Sequence, residues 1–317
     1  MTRAELLSAI GYELNKNSTL DTATSNRLLS YLNQRHRRLL SAPGVQHLRD
    51  TVLTFASVAD QPLYALPNVA KINRIWDITN NRVLQGLTLD EYRTIDPRAT
   101  VDTGVSDFWV WAGYGATAKQ PSDASELFVK SSSGSDTTQT ARLECTITGN
   151  YPRTLSAALN GTTAVTFGST VTTILNVSKF YISGTGAGSI TLHEDSGSGT
   201  ELARIGIGQT RQRYYQFYLW RTPADARTYT CDVTRDVTDL AQDTDEPMLP
   251  NDFHDLLVLG VVMDEYRHLD DTRYAAAAGE LSRREREFKY WQHQTASDGP
   301  TVRERPSSLG AWYPTGT

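Results

Sequence analysis

The sequence predicts an α+β protein: a helical domain built from both ends of the chain plus a small β-element, with an all-β sandwich inserted in its middle. Three observations carry that expectation. Apolar residues recur every three or four positions near both ends, strand-like alternation lies just inside them, and a Ser/Thr/Gly-rich run of short β-segments fills the centre. At 317 residues the chain has room for two domains. The boundaries fall at 1–130 and 213–293 for a discontinuous helical domain, 131–212 for the inserted sandwich and 294–317 for an extended tail.

Thr2 and Glu5 have capping-box spacing, and Leu6, Leu7, Ile10 and Leu14 then share one helical face. Lys16, Asn17 and Ser18 interrupt the pattern. Asp21, Thr22 and Thr24 offer N-caps for a second helix reaching about residue 41, which Pro43 and Gly44 end. Its apolar face carries Leu28, Leu29, Leu32, Leu39 and Leu40; its other face carries Arg35, His36, Arg37 and Arg38. Residues 51–58 and 71–78 alternate as half-buried strands do, and residues 61–67 read as a proline-bounded turn. Thr88 is placed to cap a short helix over 88–92, and 108–111 and 127–129 are further strands.

From about 131 to 211 charges thin out. Short β-runs at 141–147, 164–167, 171–177, 180–183, 189–193 and 201–207 are separated by turns such as Asn160-Gly161 and Ser196-Gly-Ser-Gly199, the rhythm of a sandwich. Strand text returns at 214–220 and 228–237, followed by an acidic loop over 239–246. Pro250-Asn251-Asp252 opens a helix with acidic residues at its positive end, and Phe253, Leu256, Leu257, Gly260, Val261 and Met263 form its apolar stripe. After a break at Asp270-Asp271 a last helix covers 275–291, supported by Glu280/Arg284 and Glu285/Lys289 at i,i+4. Beyond Gln294 the chain is rich in Pro, Gly and Ser yet carries Trp312 and Tyr313.

Composition narrows the function. No apolar run approaches the roughly 20 residues a membrane span needs, and the start lacks the apolar core of a secretion signal, so synthesis in the cytoplasm is expected. A net charge of −5 offers no broad basic footprint for nucleic acid. Two cysteines, Cys145 and Cys231, are too few for a disulfide framework or a cysteine-rich zinc site. Free buried thiols are expected in a reducing compartment; a bond would need adjacent strands.

Chemistry-bearing motifs are missing. None of the six histidines has metal-ligand spacing. His254 beside Asp255, and His268 near Asp264 and Asp271, read as solvated or capping pairs before acid–base pairs. Neither a nucleophile elbow nor a Walker motif occurs. The Gly184–Gly188 stretch lacks the Lys and following helix of a phosphate loop, and the loop at Asp243, Asp245 and Glu246 lacks the Gly and distal Glu of a calcium loop. The chain reads as a non-enzyme, without catalytic residues, metal or cofactor.

What remains are contact residues. Arg35–Arg38 is a basic cluster that suits either a wet helix face or contact with a phosphate backbone or an acidic partner surface. The run 283–289 mixes charge signs, which suits a neighbouring subunit better than DNA, and Phe288, Tyr290 and Trp291 add the aromatics that interface centres favour. The same run is also compatible with a helix packing on its own core. Trp312 and Tyr313 have few apolar neighbours in the tail, as expected of residues whose pocket a partner supplies.

The segment Asp239-Leu-Ala-Gln-Asp-Thr-Asp-Glu-Pro-Met-Leu-Pro-Asn-Asp-Phe-His-Asp-Leu-Leu257, running into Gly260-Val-Val-Met-Asp-Glu-Tyr266 and a charged helix ending Tyr290-Trp291, resembles the head-to-tail adaptor (connector) proteins of tailed bacteriophages. The N-terminal helix pair, residues 61–67 and Ile75-Trp76 are similar too, so the resemblance covers about 1–130 and 213–293. It departs at 131–212, which looks like an immunoglobulin-like domain that a minimal adaptor lacks. The resemblance implies a structural virion protein at the neck: a dodecameric ring of this chain between the portal and the tail or nozzle proteins, extending the channel through which genomic DNA passes without sequence-specific binding. It places portal docking on Arg283, Arg284, Arg286, Phe288, Tyr290, Trp291, Trp312 and Tyr313, and leaves Arg35, Arg37 and Arg38 for subunit or tail contact. The rival expectation is a host- or carbohydrate-binding β-module of a virion or cell surface.

Overall fold

The computed structural model describes residues 1–14, 21–95, 103–168 and 173–298. The chain opens with α1 (Arg3–Glu13) and α2 (Thr22–Leu40). Strands β1 (Asp50–Ala56), β2 (Leu63–Pro67), β3 (Val69–Asp77) and β4 (Arg82–Leu87) follow, then α3 (Leu89–Ile95), β5 (Thr103–Gly104) and β6 (Phe108–Gly115). The middle holds β7 (Leu127–Ser131), β8 (Thr140–Ile147), β9 (Tyr151–Ala158), β10 (Val165–Thr166), β11 (Ile174–Ile182), β12 (Ile190–Glu194) and β13 (Glu201–Ile205). Strands β14 (Tyr214–Trp220), β15 (Thr222–Pro223) and β16 (Thr228–Arg235) lead to α4 (Asp255–His268) and α5 (Tyr274–Asp298). The protein is therefore mixed α+β. Two compact units divide it: Met1–Gln46 with Pro247–Thr317, and His47–Glu246. The strands before residue 130 thus fall with the central β-region and not with the helices.

In the helical unit the caps form as their sequence spacing requires. The Thr2 side chain accepts from the Glu5 N–H while Glu5 accepts from the Thr2 N–H, and Asp21 accepts from the Thr24 N–H at 2.8 Å. Helix α4 is the centre, with Leu256, Leu257, Val261, Val262 and Tyr266 buried. On α2 the buried positions are Thr24, Leu28, Leu32, His36 and Leu40, a strict four-residue step. His36 therefore belongs to the core face, not to the polar face with its arginine neighbours; its ring Nε2 accepts from the Met248 N–H at 3.2 Å. Helix α5 also runs past 294 to Asp298, because nothing before Gly299-Pro300 opposes a helix.

The β-unit has two cores. A seven-stranded sheet in the order β1-β16-β3-β4-β6-β14-β2 encloses the first, which includes Ile72, Ile75, Phe217, Tyr229, Cys231 and Val233. The sheet curls until its outer strands meet: Phe55 of β1 lies 5.4 Å from Tyr64 of β2, ring centre to ring centre. Residues 63–67 are thus an edge strand and not a turn, a place where a flanking proline costs no ladder hydrogen bond. The parallel β4–β6 pair needs a crossover, and the Thr88–Glu91 capping box starts α3 inside it.

The second core lies between a four-stranded sheet, β10-β7-β12-β13, and a three-stranded sheet, β11-β8-β9. Residue alternation lets β14 serve both cores: Tyr214 packs in the sandwich, Tyr215 and Phe217 in the curled sheet. The sandwich architecture expected here is present, but its strand order is not that of an immunoglobulin domain. There the first, second, fourth and fifth strands share a sheet; here the first, fourth, sixth and seventh do. Spacing locates strands without encoding which of them pair. Two further expectations change. From Ile174 on, the run expected at 171–177 fuses with the one at 180–183 into bulged β11, residues 171 and 172 lying outside the described residues, and β9, unrecognised in the sequence, is a largely exposed edge strand containing Pro152. Cys145 and Cys231 are free and sit in different cores. Burial pushes the Cys231 thiol up to about 12 and raises that of Cys145 as well.

Candidate assembly surface on the helical unit

The basic cluster on α2 separates into two kinds of residue. Arg35 forms a two-pronged ion pair with Asp264 of α4, both contacts 2.7 Å long, and its stem lies over Gly260, where a Cβ would sit 3.1 Å from the Arg35 Cδ. Eight residues earlier, Arg27 makes the same fork to Glu265 at 3.0 and 2.7 Å. The Glu265 side chain is 0 % exposed, so the guanidinium is what makes its burial tolerable. Arg37 and Arg38 are exposed, Arg37 donating weakly to the Asn33 carbonyl at 3.4 Å.

Helix α5 divides likewise. On its inner face Phe288 is 3 % exposed and meets Phe253 at 4.9 Å, with Trp291 stacked on Phe288 at 5.9 Å. Arg284 closes this cluster: it lies over the Phe253 ring at 5.1 Å and pairs with Asp255 and Glu287, each at 2.6 Å. Those hydrogen bonds hold the Glu287 carboxyl below its usual range and the guanidinium above its own. On the outer face Arg283, Arg286 and Tyr290 follow one another at i, i+3 and i+7, which places them in one exposed row. Arg283 stands 3.9 Å from Glu287, Arg286 donates to the Ser282 carbonyl at 3.3 Å, and Tyr290 is 67 % exposed. Trp312 and Tyr313 lie outside the described residues.

Between the end of α2, the Pro43-Gly44 turn, α4 and α5 lies a groove of about 400 Å³. Its walls include Leu39, Val45, Leu256, Leu281 and Phe288, and Arg38 and Lys289 also line it.

Most of the acid–base candidates are engaged in the fold: Asp264 is held by Arg35, Asp255 by Arg284, Asp271 by Arg273, and the buried His254 ring donates from Nε2 to the Leu249 carbonyl at 2.9 Å, while His268 is exposed. The Gly184–Gly188 loop does aim N–H groups at an anion, but the anion is Asp136 of the same chain, which accepts from Ala187 at 2.7 Å and Gly188 at 2.9 Å. Asp245 accepts from the Ala241 and Gln242 N–H groups, closing its own loop. Among the described residues no cluster of three or more His, Cys, Asp or Glu is arranged to hold a metal ion, and no helix is long and apolar enough to cross a membrane. Sequence reasoning missed Arg27, Asp255 and Glu265 as partners. The adjacent acids Asp264-Glu265 inside an apolar stripe were the available signal, since buried carboxylates call for cations.

Residues 1–119 and 138–305 match a family model described as SU10 adaptor protein. The matched residues include 138–212 of the central β-region. No curated protein matches.

Proposed function

Because the chain belongs to the SU10 adaptor protein family, a structural phage adaptor, we propose that it forms a closed ring at the virion neck, between portal and tail. The observation that carries this reading is the division of α5. Its inner face, with Arg284, Phe288 and Trp291, packs on Phe253, while Arg283, Arg286 and Tyr290 form an outer row with cationic and aromatic character, the composition that interface centres favour. That row is the proposed portal contact, with the segment beyond Asp298 continuing it through Trp312 and Tyr313. Arg37 and Arg38, exposed on α2, are the proposed subunit or tail contacts; Arg35 supports them from within by fixing α2 on α4.

A ring closes by a heterologous contact, and an obligate one buries on the order of 2,000 Å² or more. The acidic balance of −5 suits a channel that DNA passes without being gripped. For the rival sugar-binding reading of the β-region, Arg213 covers the Tyr114 ring at 4.1 Å and denies that face to a sugar, while Trp111 and Tyr151 stay exposed.

The test is the mass of the protein alone and mixed with its phage's portal, by native mass spectrometry, beside a chain ending at Asp298. Joining by the full chain and loss of joining by the shortened one support the reading. A chain that stays monomeric beside an intact portal ring contradicts it.

A further inference from the structure

The groove of the helical unit has a feature that the adaptor reading does not use. Gln292 lines it, is only 7 % exposed, and among the described residues its amide nitrogen has no hydrogen-bond partner. Buried donors are ordinarily satisfied, so an amide left open beside an apolar cleft marks where an acceptor arrives. Most of the surrounding wall is apolar, although Arg35, Arg38, Glu285 and Lys289 also line it, and the groove is large enough for a bulky side chain.

We propose that this groove seats the C-terminal segment of the same chain, with the Trp312 ring among Leu39, Val45, Leu281 and Phe288 and a backbone carbonyl of that segment accepting from Gln292. Length and position favour this occupant. From Leu281 to Asp298 the helix covers roughly 26 Å at ~1.5 Å per residue. Trp312 lies 14 residues beyond Asp298, and 14 extended residues reach about 46 Å. Gly299-Pro300 directly after the helix is the pair that ends a helix and lets the chain reverse. A returning segment therefore reaches every point of the groove. A tether this short holds its end at an effective concentration of around millimolar, which favours the same chain over a second copy at micromolar concentration. The inference needs neither a ring nor a portal, and it gives the tail a resting place that a partner would have to displace.

The test uses full-length protein carrying Ala42→Cys on the groove wall and Ala311→Cys beside Trp312; both natural cysteines are buried. Mild oxidation at low micromolar concentration is expected to close a disulfide within single chains, several-fold more than in a control with Tyr12→Cys and Ala311→Cys. Adding Trp312→Ala is expected to abolish that excess. Bonding no better than the control overturns the proposal. So does a product made of covalent dimers, which would place the tail in a second copy, and so does bonding indifferent to Trp312→Ala. Amide exchange provides a readout without cysteines: residues 39–45 are expected to exchange about tenfold faster in a chain ending at Asp298. Equal rates in the two chains overturn the proposal.

Discussion

The helical unit and the β-unit bury polar groups differently. The helical unit ties its two sequence-distant halves together with guanidinium–carboxylate forks, Arg27 to Glu265 and Arg35 to Asp264, across 238 and 229 residues. The β-unit wraps its buried Asp136 and Glu194 in hydroxyls and N–H groups, although its buried Asp77 lies 3.9 Å from both Arg82 and Arg227. Asp136 accepts from Ser131, Ala187 and Gly188, and Glu194 from Ser122 and Ser125. Forks select which helices meet and in what register; wrapped carboxylates fix turns between strands that the ladders already align. Charged residues in the helical unit therefore cannot be assigned to a partner by charge alone, because several of them, such as Arg27, Arg35 and Arg284, hold the fold.

The largest effect expected from this contrast is at Arg27. Arg27→Ala removes the guanidinium fork from the fully buried Glu265 carboxylate and is expected to lower stability by about 3–5 kcal/mol, read as the urea midpoint of the helical ellipticity. Pairing Arg27→Met with Glu265→Leu should recover most of the loss, which a simple packing defect would not. Phe288→Ala, which opens the aromatic cluster, is expected to cost about 3–4 kcal/mol by the same readout.

In the β-unit Asp136→Asn is expected to cost about 2 kcal/mol and to leave the helical signal alone. Its pH dependence sharpens the point. Burial alone would raise both carboxyls, but donors from Ser131, Ala187 and Gly188, and from Ser125 and Ser122, together hold Asp136 below its ordinary 3.8 and Glu194 below 4.5. A folded pKa below the unfolded one gives stability that is complete above those ordinary values and lost as pH falls through the folded ones. Acid unfolding followed by sheet signal should therefore lose part of its steepness below about pH 4 in Asp136→Asn. The smallest effect is expected at Arg37→Ala, within about 0.5 kcal/mol, since that side chain is exposed.

Much of this was legible in the sequence, and the misses have physical causes. The capping box at Thr2, the cap at Thr88 and the buried Leu28, Leu32 and Leu40 of α2 are local signals, so they read correctly. His36 was misassigned because a polar residue between arginines looks wet, although the step through Leu28, Leu32 and Leu40 passes through it. Arg35 was grouped with Arg37 and Arg38 because adjacency in sequence hides a helical rotation of about 100° per residue. Its partner, 229 residues away, is invisible to any window. In the sandwich, alternation revealed β8 and β12, but no local pattern states that β12 pairs with β7, which is what separates this strand order from the immunoglobulin one. Strand β9 escaped because an edge strand with few buried side chains carries little alternation, although Gly149-Asn150 marked its turn.

The central claim is that the outer row of α5 makes the partner contact while the inner face makes the fold. Portal association of a Tyr290→Ala, Arg286→Glu double variant, measured together with its urea midpoint, tests it most directly. The account expects association to fall at least tenfold with the midpoint unchanged. Undiminished association, or a midpoint that falls in step with it, would contradict the division of α5 into a folding face and a docking face.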